Sequence, residues 1–581
     1  MREPRVVDRL VGELAGLGVS HVFGVGGANI EDLYDALHTA RGGVRGVVAK
    51  HEFSAAAMAD AYARVTGRLG VVAATSGGGA MNLVPGLAES YASRVPVLAL
   101  VGQPETGLEG RGAFQDGSGQ AGSLDAGRVF AAVSRFCARV GNPDALAELL
   151  PRAVTAARTD PAGPAVLLLP KDVQRAPAGR TAWPRPADPP AAQVDPAALD
   201  RALAGLRAAT DVLVIAGAGV AATAVRAELA ALARRLGAWV AVTPDAKDAF
   251  DNHDPRYAGV TGVMGHTGVE SRMRRTDVCL LVGTRLPHLA RAGLEEALAD
   301  TSVISLGPEP PFVPALPVLG NLRSTLRALL DGLEPSDRPC PGPPGPQGQG
   351  LDRPRPRPPG AAHAGVAHPG VLSYAEAMAA IEAALPPDAL VFVDAGNAGA
   401  AAIHHLPVPR EGGFVLAAGM GGMGYAFGAG IGAALATGRR TYVLAGDGAF
   451  YMHGLEVHTA VQHDAPVTFV IFNNNAHGMC AIRERLYYPD EYSFNLFRPT
   501  DIGAGAAAAF PTLPVTRAAD ADSLRRALLR GNHGRGPALA AVDCDPFEVP
   551  PFLPFLAAIR SGTPEHPEPS EPPEPPSGGI A

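Results

Sequence analysis

Short apolar runs rich in β-forming residues alternate with stretches of helical spacing along most of the chain. In the N-terminal part, residues 6–17 and 53–66 have the spacing of amphipathic or buried helices. Four apolar runs between and after them predict strands at residues 21–25, 44–49, 69–74 and 95–101. Strands that alternate with helices in this way predict a doubly wound parallel sheet.

The same alternation recurs twice more, which predicts an α/β protein with three doubly wound parallel-sheet domains. Composition changes mark the boundaries between them, because proline, glycine and alanine concentrate in the intervening segments. The predicted domains are residues 1–175, 196–335 and 370–550. Linkers are predicted at residues 176–195 and 336–369, and a proline-rich acidic tail at residues 551–581.

The third domain contains a β-α-β unit with polar residues at both strand ends. Residues 441–445 and 467–472 are the two apolar runs, and a helical stretch joins them. Because parallel strands end at the same edge of a sheet, Asp447 and Asn474 are expected to lie close together there. Asn474 follows Asp447 by 27 positions.

These two side chains offer oxygen ligands and no thiolate. Such ligands suit Mg²⁺ or Ca²⁺. Mg²⁺ held by few protein oxygens completes its shell with phosphate oxygens and water. Gly446 and Gly448 flank Asp447, and glycine allows the backbone to approach a phosphate closely. The sequence therefore predicts a metal and phosphate site at this edge.

Residues 414–438 form an uncharged stretch long enough to span a bilayer. However, glycine occupies four of the six positions from Gly419 to Gly424, and such bunching favours a loop over a helix. The stretch is therefore interpreted as a strand at residues 414–417, a glycine loop, and a buried helix at residues 425–437. No membrane association is expected.

Composition narrows the function classes further. The chain has 581 residues, 47% of them hydrophobic and 18% charged, with a net charge of −8. A nucleic-acid-binding protein normally shows a basic patch, so no nucleic-acid partner is expected. The five cysteines are scattered without a CxxC pair, which supports neither a disulfide framework nor a zinc site. The charged N-terminus is unlike a secretory signal, and a cytoplasmic location is expected.

Several motifs together resemble those of the acetolactate synthase group of thiamine-diphosphate (ThDP) enzymes. GDG followed by NNN at this spacing resembles the metal-diphosphate motif of ThDP enzymes. KHEFSAAAMADAYARVTG, TSGGGAMNLVPGLAESYASRVPVLALVGQ and GAFQDGSG resemble segments of the group's first domain. AAGMGGMGYAFGAGIGAA resembles its glycine loop. The resemblance extends over nearly the whole chain except the linkers and tail.

The resemblance implies a catalytic role for Glu52, which would hydrogen-bond the aminopyrimidine ring of ThDP and activate it. It places Phe114, Gln115 and Arg483 at the substrate, with Arg483 where the family has a tryptophan that helps to choose the second substrate. It assigns Mg²⁺ ligands to Asp447, Asn474 and the Ala476 carbonyl. Cofactor contacts are implied for Glu52, Gly78, Asn82, Gly396, Asn397, Ala398, Gly421, Gly422, Met423, Gly446, Asp447, Gly448, Ala449, Asn474, Ala476, His477, Gly478 and Met479.

The central domain carries a GxGxxA turn at Gly217, Gly219 and Ala222, directly after an apolar run. Such a turn is typical of dinucleotide-binding sites but is a weak signal alone. In the acetolactate synthase group this domain binds FAD. DVCLLVGTRLPHLA resembles a segment of this domain in the group, in which Arg285 is kept and the group's paired aspartates are lost. Two interpretations stay open: a central domain that binds FAD, and one that is purely structural.

The implied function is ThDP- and Mg²⁺-dependent decarboxylation of a 2-oxo acid, with pyruvate expected, followed by transfer of the acyl group to a carbonyl acceptor. Alternatives are a simple 2-oxo-acid decarboxylase that releases an aldehyde, a flavin-linked oxidase, and a noncatalytic assembly partner with the same fold. In the family the first domain of one subunit faces the third domain of another. A homodimer or homotetramer is therefore expected, in which Glu52 and Asp447 meet across the interface.

Overall fold

A computed structural model describes residues 4–40, 43–179, 183–187, 194–334, 371–488 and 493–561. In this part of the chain, three six-stranded sheets follow one another, and helices cover both faces of each. Every pair of neighbouring strands within the three sheets is parallel. The predicted fold class is confirmed. The expected linker at residues 336–369 lies outside the described residues.

In the first domain the strand order is β2-β1-β3-β4-β6-β5. The strands are β1 (His21–Gly24), β2 (Arg45–Val48), β3 (Gly70–Ala74), β4 (Val97–Gln103), β5 (Phe136–Arg139) and β6 (Ala165–Pro170). The helices are α1 (Val6–Gly16), α2 (Glu31–Thr39), α3 (Glu52–Thr66), α4 (Gly78–Ala92), α5 (Ala126–Ala131), α6 (Pro143–Arg158) and α7 (Lys171–Arg175).

The second domain has the strand order β12-β11-β10-β7-β8-β9. Its strands are β7 (Val212–Ala216), β8 (Trp239–Val242), β9 (Tyr257–Val260), β10 (Val278–Val282), β11 (Ser302–Gly307) and β12 (Leu316–Leu319). Its helices are α8 (Pro196–Ala208), α9 (Ala218–Ala222), α10 (Arg226–Leu236), α11 (Thr267–Met273), α12 (His288–Arg291), α13 (Glu295–Ala299) and α14 (Leu322–Gly332).

The third domain has the strand order β14-β13-β15-β16-β18-β17. Its strands are β13 (Leu390–Val393), β14 (Gly413–Leu416), β15 (Thr441–Gly446), β16 (Val467–Asn473), β17 (Val515–Ala518) and β18 (Ala538–Asp543). Its helices are α15 (Tyr374–Glu382), α16 (Asn397–His405), α17 (Tyr425–Thr437), α18 (Asp447–His453), α19 (Val457–Gln462), α20 (Gly478–Tyr487), α21 (Ile502–Ala509), α22 (Ala521–His533) and α23 (Leu553–Ser561).

The first and third domains pack together through α3 and α17, two helices built from small residues. A Cβ atom on Gly432 of α17 would come within 2.5 Å of the carbonyl oxygen of Met58 in α3. Only glycine at that position lets the two backbones approach so closely. Across the same contact the Tyr425 hydroxyl donates to the buried carboxylate of Asp60 at 2.5 Å. Because α3 begins at Glu52, this packing also fixes where Glu52 lies.

The uncharged stretch at residues 414–438 folds as predicted. β14 ends at Leu416, a glycine loop follows, and α17 runs from Tyr425 to Thr437. Among the helices that the structure describes, not one is both long and apolar enough to cross a bilayer.

The expected tail from residue 551 needs correction, because its first part is a helix. The buried ring of Phe555 anchors α23, which packs against α20. The Leu553 N–H donates to the carbonyl of Val263 in the second domain at 2.7 Å. Apolar residues at 553, 555 and 556 give this segment a surface to bury, whereas the proline-rich sequence beyond residue 561 lies outside the described part.

Candidate functional site

The ends of β15 and β16 bring the two predicted metal ligands together. The strands are parallel neighbours, and Gly446 is paired with Phe472. The Ala476 N–H donates both to Oδ2 of Asp447 at 3.1 Å and to Oδ1 of Asn474 at 3.0 Å. A carboxylate oxygen and an amide oxygen therefore converge on one point beside the Ala476 backbone.

The electrostatics of this point favour a cation. Asp447 is 1% exposed and accepts hydrogen bonds from backbone N–H groups, including that of Gly448. Burial raises the pKa of the Asp447 carboxyl to about 6. A buried carboxylate gains stability from a nearby positive charge, and a divalent ion would supply it. No cluster of three His, Cys, Asp or Glu side chains suited to a metal occurs in the described residues, so oxygens of amide and carbonyl groups would complete the shell.

Asn397 shows that this pocket suits a polar ligand. It is the first residue of α16 and is 5% exposed, yet neither Oδ1 nor Nδ2 has a hydrogen-bond partner. A Cβ on Gly478 would lie 2.8 Å from Asn397 Nδ2 and 2.6 Å from Asn474 Nδ2, so both amides face the same glycine. Buried polar groups are normally hydrogen-bonded, and a phosphate at this helix N-terminus would satisfy Asn397. Gly396, with a φ of 120°, lets the chain turn into α16.

The glycine loop between β14 and α17 is held at both ends by buried carboxylates. Asp394, which follows β13, accepts from the N–H groups of Gly424 and Ala426 at 2.9 and 3.0 Å. Glu89 of α4 accepts from the N–H groups of Gly419 and Met420 at 3.1 and 2.6 Å. Between these anchors the loop is free to present its backbone to a ligand.

Gly421 and Met423, to which the resemblance assigns cofactor contacts, lie on this loop. Gly421 has a φ of 65°, and a Cβ added to it would meet nothing within 4 Å. The Met423 methyl group lies 3.1 Å from the position that a Cβ on Gly448 would take. Met423 therefore contacts the turn that carries Asp447, and there is open space on the side of Gly421 where a Cβ would lie.

Glu52 begins α3 in a buried setting. It is 8% exposed, and its Oε2 accepts from Nδ2 of Asn82 at 2.9 Å. Its Oε1 would lie 2.9 Å from a Cβ on Gly79, so the start of α4 packs directly against it. Gln115 contacts Gly77 in the same turn, whereas the ring of Phe114 is 77% exposed.

The parts of the candidate site that belong to the first and third domains contact each other within a single chain. The ring of Phe53, next to Glu52, comes within 3.3 Å of the position of a Cβ on Gly422. The ring of His453 lies 4.7 Å from that of Phe53 and 5.0 Å from that of His51, measured between centroids. The N-terminal end of α3 is therefore in direct contact with the glycine loop and with α18.

The remaining predicted residues divide into three groups. The His477 ring lies beside Gly448, while Gly478 and Met479 begin α20 at the same edge. Ala398 and Ala449 are buried in apolar clusters and contribute packing. Arg483 is exposed on α20, where its guanidinium lies 4.0 Å from Sγ of Cys480.

Sequence reasoning missed His453, Glu89 and Tyr374, each of which contacts a site element. Burial and the nearby His51 lower the pKa of His453 to about 4. Glu89 and its loop partner Met420 are 331 positions apart, and no periodic pattern connects them. The available signals were weak: His453 lies on the turn of helix after GDG, and Glu89 is an isolated acid in an apolar helix.

The glycine turn of the second domain, at Gly217 and Gly219, packs against neighbouring backbone, unlike the glycine loop of the third domain. A Cβ on Gly219 would lie 2.9 Å from backbone atoms of Gly283, and one on Gly217 would collide with Thr284. The Arg285 guanidinium stacks on Phe312 at 4.0 Å from the ring centroid. These glycines are thus explained by close packing within the domain.

Domain profiles of thiamine pyrophosphate (ThDP) enzymes match all three parts of the chain. The N-terminal TPP-binding domain matches residues 4–122, the central domain residues 199–329, and the C-terminal TPP-binding domain residues 394–542. The chain belongs to the thiamine pyrophosphate enzyme family.

Relatives within this family include two acetolactate synthase large subunits. That of Haemophilus influenzae is 27% identical over 85% of this chain and 86% of its own length. The large subunit of isozyme 3 of Escherichia coli is 28% identical over 84% of this chain and 85% of its own length. Among solved ThDP enzymes, the 4-hydroxybenzoylformate decarboxylase of Rhodococcus jostii RHA1 is similar in fold, with a TM-score of 0.78 at 22% identity, over 94% of this chain and all of that one.

Proposed function

We propose that the chain is an acetolactate-synthase-like enzyme that decarboxylates a 2-oxo acid, with pyruvate the expected donor, and joins the acyl group to a carbonyl acceptor. The observation that carries the cofactor assignment is the shared point of Asp447 and Asn474 next to the unpartnered Asn397. The choice of reaction is supported by acetolactate synthase relatives that match more than four fifths of the chain.

In this proposal, Asp447, Asn474 and the carbonyl of Ala476 hold Mg²⁺. Asn397 and the N-terminus of α16 bind the diphosphate, since both present hydrogen-bond donors to the same pocket. ThDP supplies an electron sink for the bond to the leaving carboxylate, and the protein positions and activates it.

Glu52 would exchange a proton with the aminopyrimidine ring. Its buried setting supports this role, because water does not compete for the carboxylate and Asn82 already orients it. The Gly421 carbonyl would accept a hydrogen bond from the amino group of the same ring. Met423 on the loop and Phe53 beside it would exclude water from the reacting atoms.

Simple decarboxylation is a second candidate, favoured by one observation. His51 and His453 lie together beside the glycine loop, and histidines near the reacting carbon could donate the proton that releases an aldehyde. Against this, the pKa of His453 is lowered to about 4, so the ring is neutral at pH 7 and a weak acid. The acetolactate synthase relatives, which match more than four fifths of the chain, make carboligation the better-supported reaction.

Incubation with pyruvate, ThDP, Mg²⁺ and a panel of 2-oxo acids and aldehydes, read by mass spectrometry, tests the proposal. We expect CO₂ release together with a new C–C bond in the product. Acetaldehyde as the only product would favour the second candidate. Absence of any ThDP-dependent turnover with the whole panel would contradict both.

The central domain, by this proposal, is structural. Its support is that Gly217 and Gly219 are packed against their own domain and that Arg285 is engaged with Phe312 and Glu309. These contacts explain the two glycines and Arg285 without a bound flavin. The absorption spectrum of the purified protein tests this, because a bound flavin would give the protein a yellow colour.

A homodimer or homotetramer in the cytoplasm completes the proposal. Phe114 and Leu455 are 77% and 68% exposed, and a second copy of the chain could cover such apolar side chains. Light scattering of the purified protein tests the assembly, and cell fractionation tests the location.

A further inference from the structure

Asn474 can serve as a metal ligand only through its oxygen, so the orientation of its amide matters. The Ala476 backbone N–H donates to one atom of this amide at 3.0 Å, which identifies that atom as Oδ1. The amide nitrogen therefore faces the opposite way. There, Nδ2 lies 3.2 Å from the hydroxyl oxygen of Tyr374 and donates to it.

Tyr374 is well placed to fix that orientation. It is 3% exposed, and its ring packs on Phe472, the second residue before Asn474, at 5.7 Å between centroids. Its backbone N–H donates to both carboxylate oxygens of Glu548 at 3.0 and 3.1 Å. Phe472 of β16 thus holds the ring of Tyr374, and Glu548 holds its backbone at the start of α15.

The segment that carries Tyr374 is anchored independently of the metal pocket. Ser373 caps α15 together with Glu376, each side chain binding the other residue's backbone N–H. The Leu372 N–H donates to the carbonyl of Asp543 at the end of β18. Tyr374 therefore brings a rigid acceptor to Asn474 from outside the β-α-β unit.

We propose that Tyr374 is a positioning residue for the metal site, which turns the oxygen of Asn474 toward the cation by accepting from its nitrogen. The inference rests on the proposed function, since it concerns how Asn474 binds Mg²⁺. Hydrogen bonds from residues behind a metal ligand orient it, and their loss lowers metal affinity by about 10- to 100-fold. Without the Tyr374 hydroxyl, Nδ2 loses its acceptor, and the hydrogen bond from the Ala476 N–H to Oδ1 is left alone to oppose rotation of the amide.

Tyr374→Phe removes only the acceptor oxygen and keeps the ring. Tyr442→Phe is the matched control, because Tyr442 is also fully buried in this domain and its hydroxyl donates to the side chain of Asn532 at 2.6 Å. Binding of Mn²⁺, used in place of Mg²⁺ with saturating ThDP, is followed by the electron paramagnetic resonance signal of the free ion. We expect affinity for Mn²⁺ to fall about 10- to 100-fold in Tyr374→Phe and to stay within about twofold in Tyr442→Phe.

Asn474→Asp provides a second, independent test. A carboxylate presents oxygen whichever way it is turned, so it does not need Tyr374 to orient it. In that background, Tyr374→Phe is expected to change Mn²⁺ affinity less than about threefold. An equal loss in both backgrounds, or a loss in Tyr442→Phe as large as in Tyr374→Phe, would show a general packing effect and overturn the inference.

A separate outcome concerns the proposed function. If the unaltered protein binds Mn²⁺ and ThDP together and Tyr374→Phe binds them equally well, only the role of Tyr374 is refuted. If the unaltered protein shows no joint binding, the proposed function and this inference both fail. The kinetic counterpart is a raised Mg²⁺ half-saturation in Tyr374→Phe with kcat restored at high Mg²⁺.

Discussion

The second and third domains have sheets of the same size, and each carries a glycine turn after a central strand, but the two turns have opposite surroundings. After β7, Gly219 packs against the backbone of Gly283. After β15, the corresponding turn carries Asp447, a buried carboxylate, and Asn397, a buried amide without a partner, lies beside Gly478 near Asn474. The glycine turn alone therefore does not identify a ligand site. What sets the third-domain turn apart is its combination of a buried carboxylate at the strand end with an amide nearby that has no hydrogen-bond partner at either atom.

The largest effect is expected at Glu52, the residue that the first domain contributes to the candidate site. Glu52→Gln keeps the shape of the side chain but cannot take up a proton. We expect turnover to fall about 10²- to 10⁴-fold while ThDP still binds. Steady-state CO₂ release measures turnover, and calorimetry measures ThDP binding. Glu382→Gln, at an exposed position of α15, is the control, and equal activity of both variants would remove Glu52 from the mechanism.

An aspartate follows a strand in each of the two domains, and replacing Asp447 or Asp245 tests the comparison directly. Asp447→Ala removes a metal ligand, and we expect Mg²⁺-dependent ThDP affinity to fall at least about 10-fold. Asp245→Ala, in the second domain, removes an acid whose Oδ1 accepts from Thr243, and ThDP affinity should not change. Calorimetric titration with ThDP at fixed Mg²⁺ compares them. Similar losses in both variants would refute the distinction between the domains.

A methyl group at the second-domain turn tests the packing explanation. Gly219→Ala places a Cβ 2.9 Å from Gly283, and we expect a loss of about 1–3 kcal/mol in the free energy of unfolding. Gly268→Ala on α11 is the control, because a Cβ there meets nothing within 4 Å. Urea unfolding measures both. A Gly219→Ala protein of full stability would mean that this turn is open, as a ligand site would be.

The contact between the second and third domains should be sensitive to acid. Burial and the nearby His404 and Lys247 lower the pKa of His266 to about 3, from an ordinary value of 6.5. The unfolded chain therefore binds a proton below pH 6.5 that the folded chain does not, and stability falls as the pH is lowered. Between pH 6.5 and 5 this histidine accounts for about 2 kcal/mol.

The measurement is the free energy of unfolding at pH 7 and pH 5, in the unaltered protein and in His266→Gln. We expect a smaller pH dependence in the variant, whatever its stability at pH 7. If the two proteins lose the same free energy between these pH values, His266 does not titrate as its surroundings indicate.

Arg483 should give the smallest effect, because it is exposed and its guanidinium makes only a long contact, 4.0 Å, with Sγ of Cys480. Arg483→Trp restores the side chain that the acetolactate synthase group has here. We expect the ratio of carboligation products in a two-acceptor competition to change a few-fold, about 1 kcal/mol or less in relative barrier. An unchanged ratio would mean that Arg483 does not contact the acceptor.

Local patterns in the sequence predicted the fold well. The strands around Asp447 and Asn474 could be placed because each apolar run is a buried strand, and parallel strands must end at one edge. The helix at residues 425–437 followed from the bunching of glycines before it. In both places the information lies within a few residues of the element itself.

Contacts between distant segments could not be predicted in the same way. Periodicity shows that one face of α4 is buried, but not that Glu89 on it will bind the backbone of Met420. Similarly, Tyr374 reads as the start of an ordinary helix, and only the fold places its hydroxyl on Asn474. Helix α23 was missed because its few apolar residues are surrounded by proline.

A crystal structure with ThDP and Mg²⁺ bound tests the central claim most directly. The account predicts a cation bound by Asp447 and Asn474 at the ends of β15 and β16, with the diphosphate beside Asn397. Electron density for the diphosphate at the Gly217 turn of the second domain, or a bound cofactor with Asp447 and Asn474 free of metal, would contradict it.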